Sequence, residues 1–102
     1  LTLPMLSVGA KGVVSVVANI VPKDISDMVA KFLKGDLEGA RARHFKLLPL
    51  CKAMFIETNP ICVKTAMGIM GLSDPYLRLP LCEMQPSNIA RLKEVLKSYK
   101  LI

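Results

Sequence analysis

Tryptophan is absent from this 102-residue chain, histidine occurs once, and the remaining rings are three Phe and two Tyr. So few aromatics leave little for successive bases to stack on, which argues against single-strand nucleic-acid recognition. The lone His44 sits among Arg41, Arg43 and Lys46 with no Cys, Asp or Glu at ligand spacing, so it reads as a surface or partly packed histidine and neither a metal ligand nor a base. Carboxylates are also sparse: Glu57 has no acidic neighbour, and no acid–base pair can be assembled around it. No apolar run approaches the roughly 18 to 20 residues that a membrane span needs, so a soluble, non-membrane protein is expected. A charged segment leading into an apolar one is missing too, so nothing reads as a secretory signal, although a chain opening at Leu1 instead of Met is expected to have lost upstream sequence. Cys51, Cys62 and Cys82 are three, and gaps of 11 and 20 residues match neither a zinc nor a CxxC pattern. Reduced structural thiols in the cytoplasm are the expectation, with no metal and no cofactor.

What the chain does have is apolar content, 52% by composition, enough for one small domain. It is also basic, with 14 Lys plus Arg against 8 Asp plus Glu for a net charge of +6. The cluster Arg41, Arg43, His44 and Lys46 would suit a small helical module for a polyanion. The other basic residues are scattered at helical intervals, as on a solvated face, and no helix-turn-helix or zinc pattern accompanies them. Nucleic acid is therefore not the expected partner.

Leu1 to Val8 reads as a short apolar helix ending at Gly9. Gly12 to Val17 is β-branched and apolar on both alternating faces, the pattern of a strand in a parallel sheet covered on both sides. Such a strand needs neighbours, since each buried unpaired N–H or C=O costs about 1 to 3 kcal/mol. No second run of that quality exists: Leu77 to Leu81 contains Pro80, which lacks a ladder donor, and Arg78. The sheet is expected to come from upstream residues or other chains.

The rest predicts helices. Pro22 suits a first turn, and Ile25, Met28, Val29, Phe32 and Leu33 keep one face before Gly35 stops the helix. Asp36 is placed to cap a second helix from about Leu37, with a stripe of Ala40, Leu47, Leu48, Cys51 and Phe55 and a bend ahead of Pro49. Asn59 as cap and Pro60 at the first position start a third helix that Gly71 ends. Pro86 opens a fourth, with Ile89, Leu92, Leu96 and Tyr99 on one face and Arg91, Lys93, Lys97 and Lys100 outside.

Several local sequences belong together: Gly9-Ala10-Lys11-Gly12-Val13-Val14-Ser15-Val16, Ala18-Asn19, Leu47-Leu48-Pro49-Leu50, Glu57-Thr58-Asn59-Pro60-Ile61-Cys62-Val63-Lys64 and Leu77-Arg78-Leu79-Pro80-Leu81. In this order they resemble the C-terminal end of the dihydrodipicolinate synthases, pyruvate-dependent lyases of lysine biosynthesis. The resemblance covers essentially the whole chain, with Cys62 standing where the family usually has a second proline. It implies the C-terminal part of a (β/α)8 TIM barrel, its last strand and helix, followed by a helical extension. Residues 1–35 would then end the barrel and residues 36–102 form a helical C-terminal domain.

The resemblance further implies condensation of pyruvate with aspartate semialdehyde through a lysine Schiff base, assisted by a threonine, tyrosines and an arginine. All of these are implied to lie upstream of Leu1, so the isolated chain is expected to be inactive and to need the upstream barrel portion. Lys11 is at the N-terminal end of the expected strand, whereas barrel active sites lie at the C-terminal ends. It reads as a solvated turn residue. Ser15 lacks a nucleophile-elbow context, and Gly9 and Gly12 precede the strand instead of forming a phosphate loop. By resemblance Val14 alone is carried over, as an apolar wall of the substrate site. A homotetramer is implied, with the Leu1–Val8 helix near one interface. A sialic acid lyase or sugar-acid aldolase remains an alternative, as does a non-catalytic basic helical module.

Overall fold

Helix boundaries in this protein are written by glycines and prolines. The computed structural model describes every residue from Leu1 to Ile102, as two compact units, Leu1–Pro49 and Leu50–Ile102. All regular structure is helical: α1 Thr2–Ser7, a 3-10 turn Val16–Asn19, α2 Pro22–Leu33, α3 Leu37–Ala53, α4 Ile61–Ile69 and α5 Pro86–Ser98.

In the first unit α1 and the 3-10 turn pack on α2. Pro22 occupies the first turn of α2, where a missing N–H costs nothing, and Asp24 adds favourable negative charge there. Leu3, Leu6, Val17, Ile20, Val21, Ile25 and Met28 are buried and form the core of this packing. Arg43 on α3 reaches Asp24 and Asp27 on α2 with separate nitrogens, at 3.2 and 3.1 Å, and Lys46 adds a contact to Asp24 at 3.3 Å.

In the second unit α4 packs on α5. Its core holds Met54, Ile61, Cys62, Val63, Ala66, Met84, Leu92 and Leu96. The Leu92 and Leu96 side chains, four residues apart on one face of α5, are fully buried as their spacing predicts.

Four helices end in the same hydrogen-bond pattern. After α1, Gly9 N–H bonds Leu6 C=O and Ala10 N–H bonds Met5 C=O; after α2, Gly35 bonds Phe32 and Asp36 bonds Lys31. After α4, Gly71 bonds Gly68 and Leu72 bonds Met67; after α5, Lys100 bonds Lys97 and Leu101 bonds Leu96. This paired closure requires a left-handed residue, and Gly9, Gly35, Gly71 and Lys100 all have positive φ. Lys100, at φ 56°, does so with a side chain.

The expected fold class is corrected here. The chain does not form the C-terminal part of a (β/α)8 barrel with a last strand: all its elements are helices and it has no strand. Residues 11–15 have no regular structure, Ser15 has an extended backbone (φ −122°, ψ 131°), and the run turns into the 3-10 turn at Val16. The β-branched pattern is present, but pairing is a property of two segments, and this chain offers no second one.

Two smaller expectations also change. Phe55 is exposed, while Leu50 and Met54 are buried; α3 ends at Ala53, so the helical period no longer governs position 55. α4 begins without a side-chain cap, because Pro60 and not Asn59 is its N-cap, with Thr58 C=O accepting the Ile61 N–H at 2.9 Å. The Asn59–Pro60 and Leu79–Pro80 peptide bonds are cis. α3 runs continuously through Pro49.

Candidate functional site

Val14 is the one residue that the family resemblance carries over to a substrate site, and its side chain is completely exposed. It lies on the unpaired stretch between α1 and the 3-10 turn, which the buried Val17 anchors from its far end. Lys11 is exposed on the same stretch and Ser15 is half-buried. No acid, base or thiol is brought to any of these three by a hydrogen bond. His44 is half-buried and meets Phe45 edge to face at 5.3 Å, and no three His, Cys, Asp or Glu side chains gather to hold a metal ion. The thiols are free: Cys62 is buried, Cys51 half-buried and Cys82 exposed. Burial raises the pKa of the Cys51 thiol, which favours its protonated form.

Glu57 takes a part that its isolation in sequence gave no reason to expect. Its Oε1 accepts the backbone N–H of Gln85 at 2.9 Å and the Nδ2 of Asn88 at 2.7 Å, so it fastens the start of α5 to the segment before α4. The Glu57 N–H also approaches the Cys62 Sγ at 3.3 Å. The partners are 28 and 31 residues away. Only the spacing of an Asn two residues into a Pro-initiated helix hinted at them.

Beside this link, within the second unit, an open cavity of about 570 Å³ is walled by Thr65 of α4, residues 74–77, 79 and 81–84 of the connection, and Ile89 of α5. The connection is held at both ends. A Cβ on Gly68 would come within 2.8 Å of the Pro75 ring, so the glycine lets the loop lie directly on α4, while Gln85 is held by Glu57. Asp74 Oδ1 accepts the Tyr76 N–H at 2.8 Å and makes the turn between them.

The arrangement holds apolar surface and two carboxylates but no nucleophile paired with a base. Its kinship is clear nonetheless, since the model of the dihydrodipicolinate synthetase family matches residues 1–99. The chain belongs to this family. It is 60% identical over all 102 residues to the 4-hydroxy-tetrahydrodipicolinate synthase of Hydrogenobaculum sp. and 59% to that of Methanocaldococcus jannaschii, covering 35% of each. A crystal structure of a dihydrodipicolinate synthase superposes with TM-score 0.95 at 58% identity, over 98% of this chain and 35% of that one. The enzyme from Thermotoga maritima gives TM-score 0.96 at 44% identity, over 99% and 34%. The chain thus spans about a third of the length of the synthases it matches. No helix here is long and apolar enough to cross a membrane.

Proposed function

We propose that these 102 residues serve as one portion of a 4-hydroxy-tetrahydrodipicolinate synthase, which condenses pyruvate with aspartate semialdehyde in lysine biosynthesis. The observation that carries this reading is 60% identity across the whole chain to a synthase of that name. In the proposed enzyme the Schiff-base lysine is supplied by the remainder of the protein, and the 102 residues alone do not turn over substrate. The exposed, unpartnered Lys11 supports that division, because a nucleophilic lysine needs desolvation or a cationic neighbour to lower its pKa.

Val14 serves in this proposal as an apolar wall of the pyruvate site. Its complete exposure on an unpaired stretch suits a side chain whose contacts lie on the remainder of the enzyme. The whole enzyme is taken as a cytoplasmic homo-oligomer, a tetramer, in keeping with three unpaired thiols.

The test is borohydride trapping of pyruvate on the whole enzyme, followed by peptide mapping. The expected adduct lies on a lysine outside Leu1–Ile102, and none forms on the 102-residue chain incubated alone. An adduct on Lys11 or any other lysine of this chain overturns the division of labour, and no adduct anywhere overturns the synthase reading.

A further inference from the structure

The cavity beside α4 and α5 is walled mainly by apolar side chains, Leu77, Leu79, Leu81, Met84 and Ile89 among them. Leu79 is 90% exposed and Tyr76 68% exposed, so both stand up from the rim instead of closing over it. Small-ligand sites bury most of their ligand, whereas a rim that projects apolar surface suits something that lies across it. The wall is fixed by the Pro75–Gly68 contact and the Gln85–Glu57 bond, so the surface is preformed.

Charge narrows the occupant further. The protein is strongly basic, yet the only charged residues on this cavity are Asp74 and Glu83. Elsewhere Asp24, Asp27, Asp36 and Glu94 are ion-paired and Glu57 is engaged by Gln85 and Asn88. That leaves Glu38, Glu57, Asp74 and Glu83 without a cation, and two of these four line the cavity. Meanwhile about two thirds of the length of the matched synthases lies outside this chain.

We propose that the cavity seats an apolar segment carrying at least one Lys or Arg, contributed by the remainder of the same enzyme chain, with Asp74 and Glu83 facing its cation. This rests on the reading of the chain as one portion of a larger synthase. Large exposed apolar patches on a folded protein mark interaction surfaces, and a seated segment of this kind covers the rim leucine while pairing both carboxylates.

Cys82 lies on the cavity wall, exposed, and reports its coverage. In the native whole enzyme its alkylation by iodoacetamide, read by peptide mass spectrometry, is expected to be at least ~10-fold slower than in the urea-unfolded enzyme. Rates within about 3-fold of each other would leave the cavity uncovered and overturn the proposal. Protection that disappears on dilution would assign the cover to a second copy and overturn the same-chain occupant. The pair of charge reversals Asp74→Lys and Glu83→Lys should speed Cys82 labelling where Glu38→Lys does not; equal labelling in all three refutes the basic residue. Pyruvate trapping on the same sample separates the two readings. A trapped adduct with an open Cys82 sinks only the cavity proposal, and a covered Cys82 with no adduct sinks only the reaction.

Discussion

The carboxylate of Asp36 lies over the α-carbon of Gly39: Oδ1 accepts the Gly39 N–H at 2.9 Å, in space that a Cβ at position 39 would take. Asp36 is thereby the N-cap of α3, its own N–H closes α2 on Lys31 C=O, and its Oδ2 meets Lys31 Nζ at 3.0 Å.

Gly39→Ala should consequently fail to deliver the stabilisation of about 1 kcal/mol that replacing a helical glycine normally gives. Asp36→Ala should destabilise through loss of the cap. In the Asp36→Ala background the space above residue 39 is free, and Gly39→Ala should then become stabilising. Chemical denaturation of the four proteins of this double-mutant cycle checks it, and additive effects would contradict the steric coupling.

The same carboxylate predicts a pH dependence. Its hydrogen bond from the Gly39 N–H, followed by that from Lys31, holds the Asp36 pKa below its ordinary 3.8. A depressed acid pKa contributes stability that is fully present above the unfolded value and is lost as pH falls through the folded value. The difference in unfolding midpoint between the protein and Asp36→Asn, which keeps a capping oxygen, should be constant above about pH 5 and shrink below pH 4. A difference that stays flat down to pH 2 would contradict it.

Lys100 is the one side chain in a left-handed helix stop, at φ 56°. Lys100→Gly should stabilise by about 1 kcal/mol, since a Cβ in that conformation costs about 1 to 2. Gly71→Ala, which creates the same situation after α4, should destabilise by a similar amount. Thermal unfolding of both variants gives the two signs.

Glu57 fixes the beginning of α5 through Gln85 and Asn88. Glu57→Ala strands two donors and should cost about 1.5 to 3 kcal/mol, the range for hydrogen bonds to a charged group. Glu57→Gln retains an acceptor oxygen and should cost less than half as much. Equal losses would mean that the charge, and not the acceptor, holds the segment.

The helices were legible wherever the signal lay within one turn of the chain. Pro22 and Pro86 begin α2 and α5, Asp36 caps α3, and Gly9, Gly35 and Gly71 stop the helices before them. The stretch around Val14 departs from its local pattern for the opposite reason. Its residues favour a strand, but a strand exists only with a partner, and residues 11–15 have none among these 102. Phe55 was assigned to the core by continuing a period past the end of α3. Glu57 has no local signature because its donors, Gln85 and Asn88, lie 28 and 31 residues later at the start of α5, a closeness that only folding creates. The cavity is of the same kind: Thr65, Pro75, Met84 and Ile89 carry no shared pattern until α4 and α5 bring them round it.

A helix stop confined to six consecutive residues is portable. The closures after α1, α2, α4 and α5 each draw every bond from within that short span, so a peptide cut out with its glycine carries its own punctuation. Lys100 closes α5 with the same bonds but with a side chain in the left-handed position, so that stop keeps the hydrogen-bond punctuation and gives up the freedom that glycine supplies at the other three.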